Sequence, residues 1–313
     1  MRQRAFGNTG IQVSEIGLGA WQLANPDWRL HSADDALRVV AASLEAGCTF
    51  FDTAPGYGGG RSEELLGRAL RPVRGDVVIC TKFSHHGADG STDFDAQHIR
   101  PVLEGSLRRL QTDYVDILLL HNPPAPLMNG ERHPQIYEEL ERLRAEGRIR
   151  EYGISLDWSA ELETMARTTK GRAAEVLFNA FSQDTRAAFP EAQARGIGLI
   201  VKVPLDSGWL SGRYRGAHRF DDVRARWSPE VLARRTALVE RLAALVPPGT
   251  RLGHAALQYC LARPEVATVI PGAKTAEQAL DNIAAASGRL PAEVVQAIDA
   301  LWEQEIRDSP LPW

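Results

Sequence analysis

The stretch Thr49-Phe50-Phe51-Asp52-Thr53-Ala54-Pro55-Gly56-Tyr57-Gly58 sets a short apolar run against a terminal carboxylate, then a glycine-rich turn that carries a tyrosine. Just beyond it, Ser62 can cap a helix over Glu63–Leu70, with Glu63 and Glu64 at the positive end. Strand, loop and helix make one β/α unit, and the rest of the chain repeats it. The strand candidates are Glu15–Ala20, Thr49–Asp52, Val77–Lys82, Val115–His121, Glu151–Ser155, Glu175–Asn179, Gly198–Val203 and Thr268–Pro271. They are short, apolar and largely β-branched, as strands buried on both faces are. Between them lie helical patterns over Asp34–Ala46, Ala96–Leu110, Pro134–Glu146, Ala160–Thr168, Pro190–Arg195, Leu252–Leu261 and Ala276–Ser287. A further helix, Pro291–Glu305, runs past the last unit. Ahead of the first unit, Gln3–Phe6 and Ile11–Val13 flank Asn8-Thr9-Gly10, whose residues suit a tight turn. The prediction is an α/β fold: a (β/α)8 TIM barrel with an N-terminal β-hairpin and an additional C-terminal helix. An open doubly wound sheet is the rival. With no Pro/Ser-rich linker to divide them, residues 1–313 read as a single domain.

Composition narrows the function classes. Hydrophobic residues are 44 % of the 313 and charged residues 24 %, enough to build a large core. The net charge of −4 comes with no basic stripe, which argues against nucleic acid as partner. The apolar runs are strand-length and the start lacks a signal-peptide core, so no membrane is expected and the predicted location is cytoplasmic. Cys48, Cys80 and Cys260 lie far apart without metal-ligand spacing and read as buried thiols; no metal is expected. No heptad repeat points to a coiled coil, leaving a monomer or a small homo-oligomer.

In a β/α barrel the chemistry sits at the C-terminal ends of the strands. Asp52, Lys82 and His121 close three successive predicted strands, and Tyr57 stands just beyond the first. Reduction of a carbonyl needs a hydride donor and a proton donor for the developing alkoxide. A tyrosine ionises near pH 10, and a neighbouring ammonium favours its ionised form. Lys82 can supply that charge, held by Asp52, while His121 orients the substrate oxygen. Singly, each residue also fits a turn, an anchor or a solvated end; it is their shared rim that argues for chemistry. Gly56-Tyr57-Gly58-Gly59-Gly60-Arg61 imitates a dinucleotide fingerprint, but Arg61 occupies the place of its third glycine. His85-His86 reads as loop.

On these motifs the chain resembles the aldo-keto reductase family across nearly its whole length. Arg4 to Ser14 resembles the family's opening hairpin. Phe51 to Gly58 with Ser62-Glu63-Glu64-Leu65-Leu66-Gly67 resembles its first signature, and Thr81-Lys82-Phe83 and Leu119-Leu120-His121-Asn122-Pro123 the other catalytic motifs. The resemblance implies Asp52, Tyr57, Lys82 and His121 as a catalytic tetrad, with Tyr57 the proton donor. It also implies a nicotinamide cofactor. Ser155, in Tyr152-Gly153-Ile154-Ser155, matches the serine that contacts the carboxamide. Leu156, Glu175 and Lys202 stand where the family usually has Asn, Gln and a stacking aromatic residue. Pro204, Leu205, Ser207, Gly208 and Leu210 fall in the loop over the pyrophosphate. Gly272, Ala273, Lys274, Thr275, Gln278, Asp281 and Asn282 fall where the adenosine and its 2′-phosphate lie, and Lys274 and Thr275 favour NADPH over NADH, with NADH possible. A helix N-terminus beside a lysine is physically suited to a phosphate.

The expected substrate is a small-molecule carbonyl compound, an aldehyde or ketone, with Trp21, Trp28, Phe83 and Asn122 as candidate pocket residues. Three other readings are carried: a cofactor-binding regulatory protein without turnover, a sugar or alcohol dehydrogenase working in the oxidative direction, and a barrel lyase.

Overall fold

The computed structural model describes residues 1–24, 32–86, 92–214 and 223–312. In chain order the strands are β1 (Gln3–Ala5), β2 (Gln12–Ser14), β3 (Leu18–Gly19), β4 (Phe50–Asp52), β5 (Val78–Phe83), β6 (His85–His86), β7 (Thr92–Asp93), β8 (Val115–His121), β9 (Ile149–Leu156), β10 (Ala173–Leu177), β11 (Gly198–Lys202) and β12 (Val266–Val269). The helices are α1 (Trp21–Ala24), α2 (Ala33–Glu45), α3 (Arg61–Leu70), α4 (Ala96–Leu110), α5 (Pro134–Ala145), α6 (Ser159–Thr168), α7 (Phe189–Ala194), α8 (Pro229–Leu245), α9 (Leu252–Leu261), α10 (Ala276–Ala284) and α11 (Ala292–Glu305).

Eight parallel strands form one sheet in the order β3-β4-β5-β8-β9-β10-β11-β12. Its two edges meet through the parallel bridges Ile16↔Val269 and Gly19↔Gly272, which curl the sheet into a (β/α)8 TIM barrel. The seam is tight: a Cβ at Gly19 would lie 2.8 Å from the Ile270 carbonyl oxygen, so the two edge strands approach this closely only over glycine. The strands are apolar because both faces are covered; all six residues of β5 are buried. One apolar cluster lies between the strands and the helices. A second lies inside the barrel, where Phe50, Val78, Cys80, Ile117, Leu119 and Ile200 meet Phe6, Ile11 and Val13. The antiparallel hairpin β1–β2 therefore plugs the end of the barrel opposite the catalytic candidates.

Several expectations need correcting. Ser62 is not a helix cap: Gly60, with φ of 93°, precedes α3, and Ser62 lies buried inside it. Its hydroxyl donates to the Ala20 carbonyl at 3.0 Å and accepts from Thr53 at 2.9 Å, stitching the ends of two strand units together. The longest helix among the described residues, α8 with 17 residues, was not expected. Its inward face holds the buried Arg235 among Leu238, Val239 and Leu242, and a charge in the stripe hides the apolar period. His85-His86 is a strand paired with Thr92–Asp93 rather than loop. The three cysteines are buried, as expected.

Candidate active site

Parallel pairing carries residues far apart in sequence to one rim. Asp52 ends β4 beside Cys80 of β5, and Lys82 lies two residues further up β5. His121 ends β8 opposite Ser155 of β9, which in turn faces Glu175 of β10. Lys202 ends β11 opposite Leu177. Asp52, Lys82 and His121 are thus brought together at the C-terminal ends of the strands, and the loop after β4 carries Tyr57 over them.

Lys82 is the centre of the group. It is fully buried, and its Nζ lies 2.6 Å from both Asp52 carboxylate oxygens, 3.1 Å from the Thr53 carbonyl oxygen and 3.1 Å from Glu175 Oε2. Burial opposes the Lys82 charge, but Asp52 and Glu175 outweigh it and hold the ammonium charged. Among the carboxyls, burial and the neighbouring Glu175 push Asp52 up, against the pull of Lys82. Glu175 goes the other way: burial raises it, but Lys82 and Lys202 draw it below the ordinary carboxylate range. Asp52, Cys80 and Glu175 have ligand-type atoms within 4.8 Å of one another, and the cation beside both carboxylates is the Lys82 ammonium.

Tyr57 is half-buried above this group. Its ring centroid lies 5.4 Å from Lys82 Nζ, 5.9 Å from the His121 ring in an edge-on arrangement, and 6.4 Å from the Trp21 ring. The phenol is raised above its ordinary value rather than lowered. Burial is the main cause; Lys82 pulls down, but Asp52 and Glu175 push up. The expectation of an ammonium-depressed tyrosine fails because burial outweighs the pull of Lys82, and the two carboxylates add to it. The phenol therefore holds its proton more firmly than a free tyrosine does.

On the cofactor side, Ser155 is buried and donates to Glu175 Oε1 at 3.0 Å. Lys202 Nζ reaches Ser155 Oγ at 2.9 Å, Asn122 Oδ1 at 2.8 Å and Asp157 Oδ1 at 2.9 Å. Leu156 is buried, so it offers this region no polar group. In the loop after β11, Ser207 and Gly208 take left-handed φ values of 55° and 92°. Leu205 is partly exposed, while Pro204 and Leu210 are buried, Leu210 within the main core cluster. At the α10 end, Thr275 caps the helix by accepting from the Gln278 amide at 3.2 Å. The Lys274 amide donates to Gln278 Oε1 at 3.0 Å, and Ala273 is buried beneath. Asp281 pairs with Arg251 and His254, and Asn282 donates to the Gly272 carbonyl at 3.2 Å.

Of the pocket candidates, Trp21 joins the rim through Tyr57 and Asn122 through Lys202. Phe83 is fully buried against Phe94, with ring centroids 6.0 Å apart. Trp28 lies outside the described residues. Three participants went unread in the sequence. Asp157 pins Lys202, and the Thr53 carbonyl holds Lys82. Glu63, expected as a helix-end charge, is fully buried; it accepts from Thr81 at 2.7 Å and from Arg109 at 2.7 Å, bracing the strand that carries Lys82. An acid beside Thr81 in sequence would have signalled this; one placed eighteen residues earlier does not.

A buried, doubly paired lysine thus lies beneath a tyrosine and a histidine at the strand ends of a β/α barrel. The chain belongs to the aldo/keto reductase family, whose description it matches over residues 15–303. It is similar to an uncharacterized oxidoreductase of Bacillus subtilis, 30 % identical over 98 % of both chains. It is also similar to the L-galactose dehydrogenase of Arabidopsis thaliana, 31 % identical over 90 % of this chain and 87 % of that protein. Among solved structures, an aldo-keto reductase from Bacillus halodurans in its holo form matches with a TM-score of 0.82 and 29 % identity over 96 % of both chains. The chain is therefore an oxidoreductase of the carbonyl–alcohol class, in a family that uses nicotinamide cofactors. No helix among the described residues is long and apolar enough to cross a membrane.

Proposed function

We propose that this protein reduces the carbonyl group of a small aldehyde or ketone to an alcohol with NADPH, and that Tyr57 donates the proton. The observation that carries this reading is the group at the rim: Tyr57 over the buried Asp52–Lys82 pair, with His121 edge-on to its ring. When bound, the nicotinamide cofactor supplies the hydride. As the substrate oxygen gains charge, the Tyr57 O–H bond breaks and a new O–H bond forms on that oxygen. Lys82 stands where it lowers the cost of the phenolate left behind. His121 orients the substrate oxygen, and Trp21 with Asn122 lines the entrance.

The donor set fits the cofactor. Ser155 and Asn122 offer a hydroxyl and an amide to a carboxamide, and Glu175 offers an acceptor. The left-handed turn at Ser207 and Gly208 is in keeping with the pyrophosphate loop that the resemblance implies. Lys274 and the Thr275-capped start of α10 suit a 2′-phosphate, which supports NADPH over NADH. The name of the Arabidopsis relative, an L-galactose dehydrogenase, supports a sugar as the substrate class.

The test follows NADPH consumption with a panel of aldehydes, ketones and keto-sugars, for wild type and Tyr57→Phe side by side. Loss of at least about a hundredfold in kcat in the variant is expected, the usual contribution of a positioned acid. Equal turnover by the variant would remove Tyr57 as donor, and a protein that binds no nicotinamide cofactor would overturn the whole reading.

A further inference from the structure

Glu175 is the one rim residue that the proposed chemistry leaves without a full account. Its Oε1 accepts from Ser155, but its Oε2 is buried with no hydrogen-bond donor, although Lys82 Nζ lies 3.1 Å away. The reason is a count of protons. An ammonium has three N–H groups. Four oxygens lie within 3.1 Å of Lys82 Nζ: both of Asp52, the Thr53 carbonyl and Glu175 Oε2. Three of them form hydrogen bonds, and Glu175 Oε2 is the one left over. Cys80, His121 and, through Ser155, Lys202 also face the two carboxylates, but Lys202 is paired with Asp157; on Lys82 the two therefore carry one negative charge too many, and like charges that share a dry site do not both ionise.

We propose that Asp52 and Glu175 share one proton beside Lys82, making a neutral carboxyl–ammonium–carboxylate cluster that sets how easily Tyr57 releases its own proton. A proton on Asp52 gives Glu175 Oε2 the donor it lacks and brings the net charge of the three groups to zero. The surroundings part the two acids as this requires: burial and Glu175 push Asp52 up, while Lys82 and Lys202 draw Glu175 down against its burial. When the shared proton leaves, the cluster becomes net negative beneath the phenol and opposes the phenolate. Its effect on turnover rests on Tyr57 being the proton donor; the shared proton itself does not.

Infrared difference spectroscopy on the purified protein tests this, with Glu175→Gln and Asp52→Asn, both near-isosteric. The wild type is expected to show a protonated-carboxyl C=O band at neutral pH that is lost in both variants. Its loss in Glu175→Gln is the telling result, because the residue removed is the one held ionised. No such band in the wild type, or a band that survives in both variants, overturns the shared proton. If Asp52→Asn does not fold, Glu175→Gln decides alone; if Glu175→Gln does not fold, Glu175→Ala takes its place. In turnover, wild-type kcat/KM for reduction is expected to fall as pH rises through the loss of the band, and Glu175→Gln to lose that limb. Superimposable profiles would overturn the coupling to Tyr57. A band that behaves as expected in a protein without nicotinamide-dependent turnover would keep the cluster and sink the reductase reading; Tyr57-dependent turnover without the band would sink the cluster alone.

Discussion

Lys274 is a partly exposed cation one residue before the Thr275 cap of α10, where the free amides of a helix start already favour an anion. Lys274→Glu puts a like charge against a 2′-phosphate and leaves the rest of the cofactor untouched. The expected outcome is a drop of about tenfold or more in the ratio of NADPH to NADH affinity, since one charge-assisted contact contributes about 1.5–3 kcal/mol. Fluorescence titration with the two cofactors measures it, and an unmoved ratio would remove the phosphate role. The helix start beside Lys274 was legible, because the residues that begin a helix carry their meaning locally. Lys202 was not: its partners Asn122, Ser155 and Asp157 come from two other strand units, and chain spacing does not record which side chains a barrel brings together. The raised phenol of Tyr57 was missed for the same reason, since the sequence shows the lysine but neither the burial of the ring nor the second carboxylate.

At the scale of the elements, the run Tyr152-Gly153-Ile154-Ser155 has a packing reason for its glycine. β9 and β10 pair with Gly153 opposite Ala173, and a Cβ at Gly153 would lie 1.5 Å from the Ala173 carbonyl oxygen. The neighbour is backbone held in a central ladder, so it cannot turn aside. Gly153→Ala is expected to push β9 from β10, carry Ser155 away from Glu175, and cost about 1–3 kcal/mol or more. A fall in Tm by circular dichroism, with weaker cofactor binding, is the check; an unchanged Tm would mean that the two strands separate easily. The eight barrel strands and most helices were readable from apolar runs and periodicity, with ends displaced by up to about three residues. The Ser62 cap failed because a serine before two acids also fits a buried helix position, and only the packing of Ala20 and Thr53 around it decides between them.

Across the whole molecule, Glu15 is the buried acid that ties the hairpin to the closing units. It accepts from Arg4 at 2.8 Å and from Arg289 at 2.6 and 2.7 Å, and Arg2 stands 3.3 Å away. Arg4 also reaches the Leu261 and Val266 carbonyls, so one carboxylate joins β1, α9, β12 and the segment before α11. Burial pushes Glu15 up, but the hydrogen bonds from Arg289 and Arg4 outweigh it and the carboxyl ends below its ordinary value. A lowered carboxyl contributes stability in full above its unfolded value of about 4.3, and loses it as pH falls through the lower folded value. Glu15→Gln is therefore expected to cost about 3 kcal/mol near neutrality, as removing one partner of a buried pair does. The cost should shrink as the solution is acidified below about pH 4. Denaturant unfolding at neutral and acid pH measures both, and an equal loss at the two pH values would count against the ion-pair origin.

The sequence by itself determined the alternation of strand and helix, the hairpin ahead of it and the placing of Asp52, Lys82 and His121 at strand ends with Tyr57 just beyond the first, because each of these is written in local pattern: apolar runs, turn residues and the residue that ends a strand. Only the tertiary structure decided that Glu175 joins Asp52 at Lys82, that Lys202 turns to Asp157, and that Arg235 sits inside the face of α8. Those outcomes depend on the register of parallel strands and on which charges are buried together, and both are set when distant units close into a barrel.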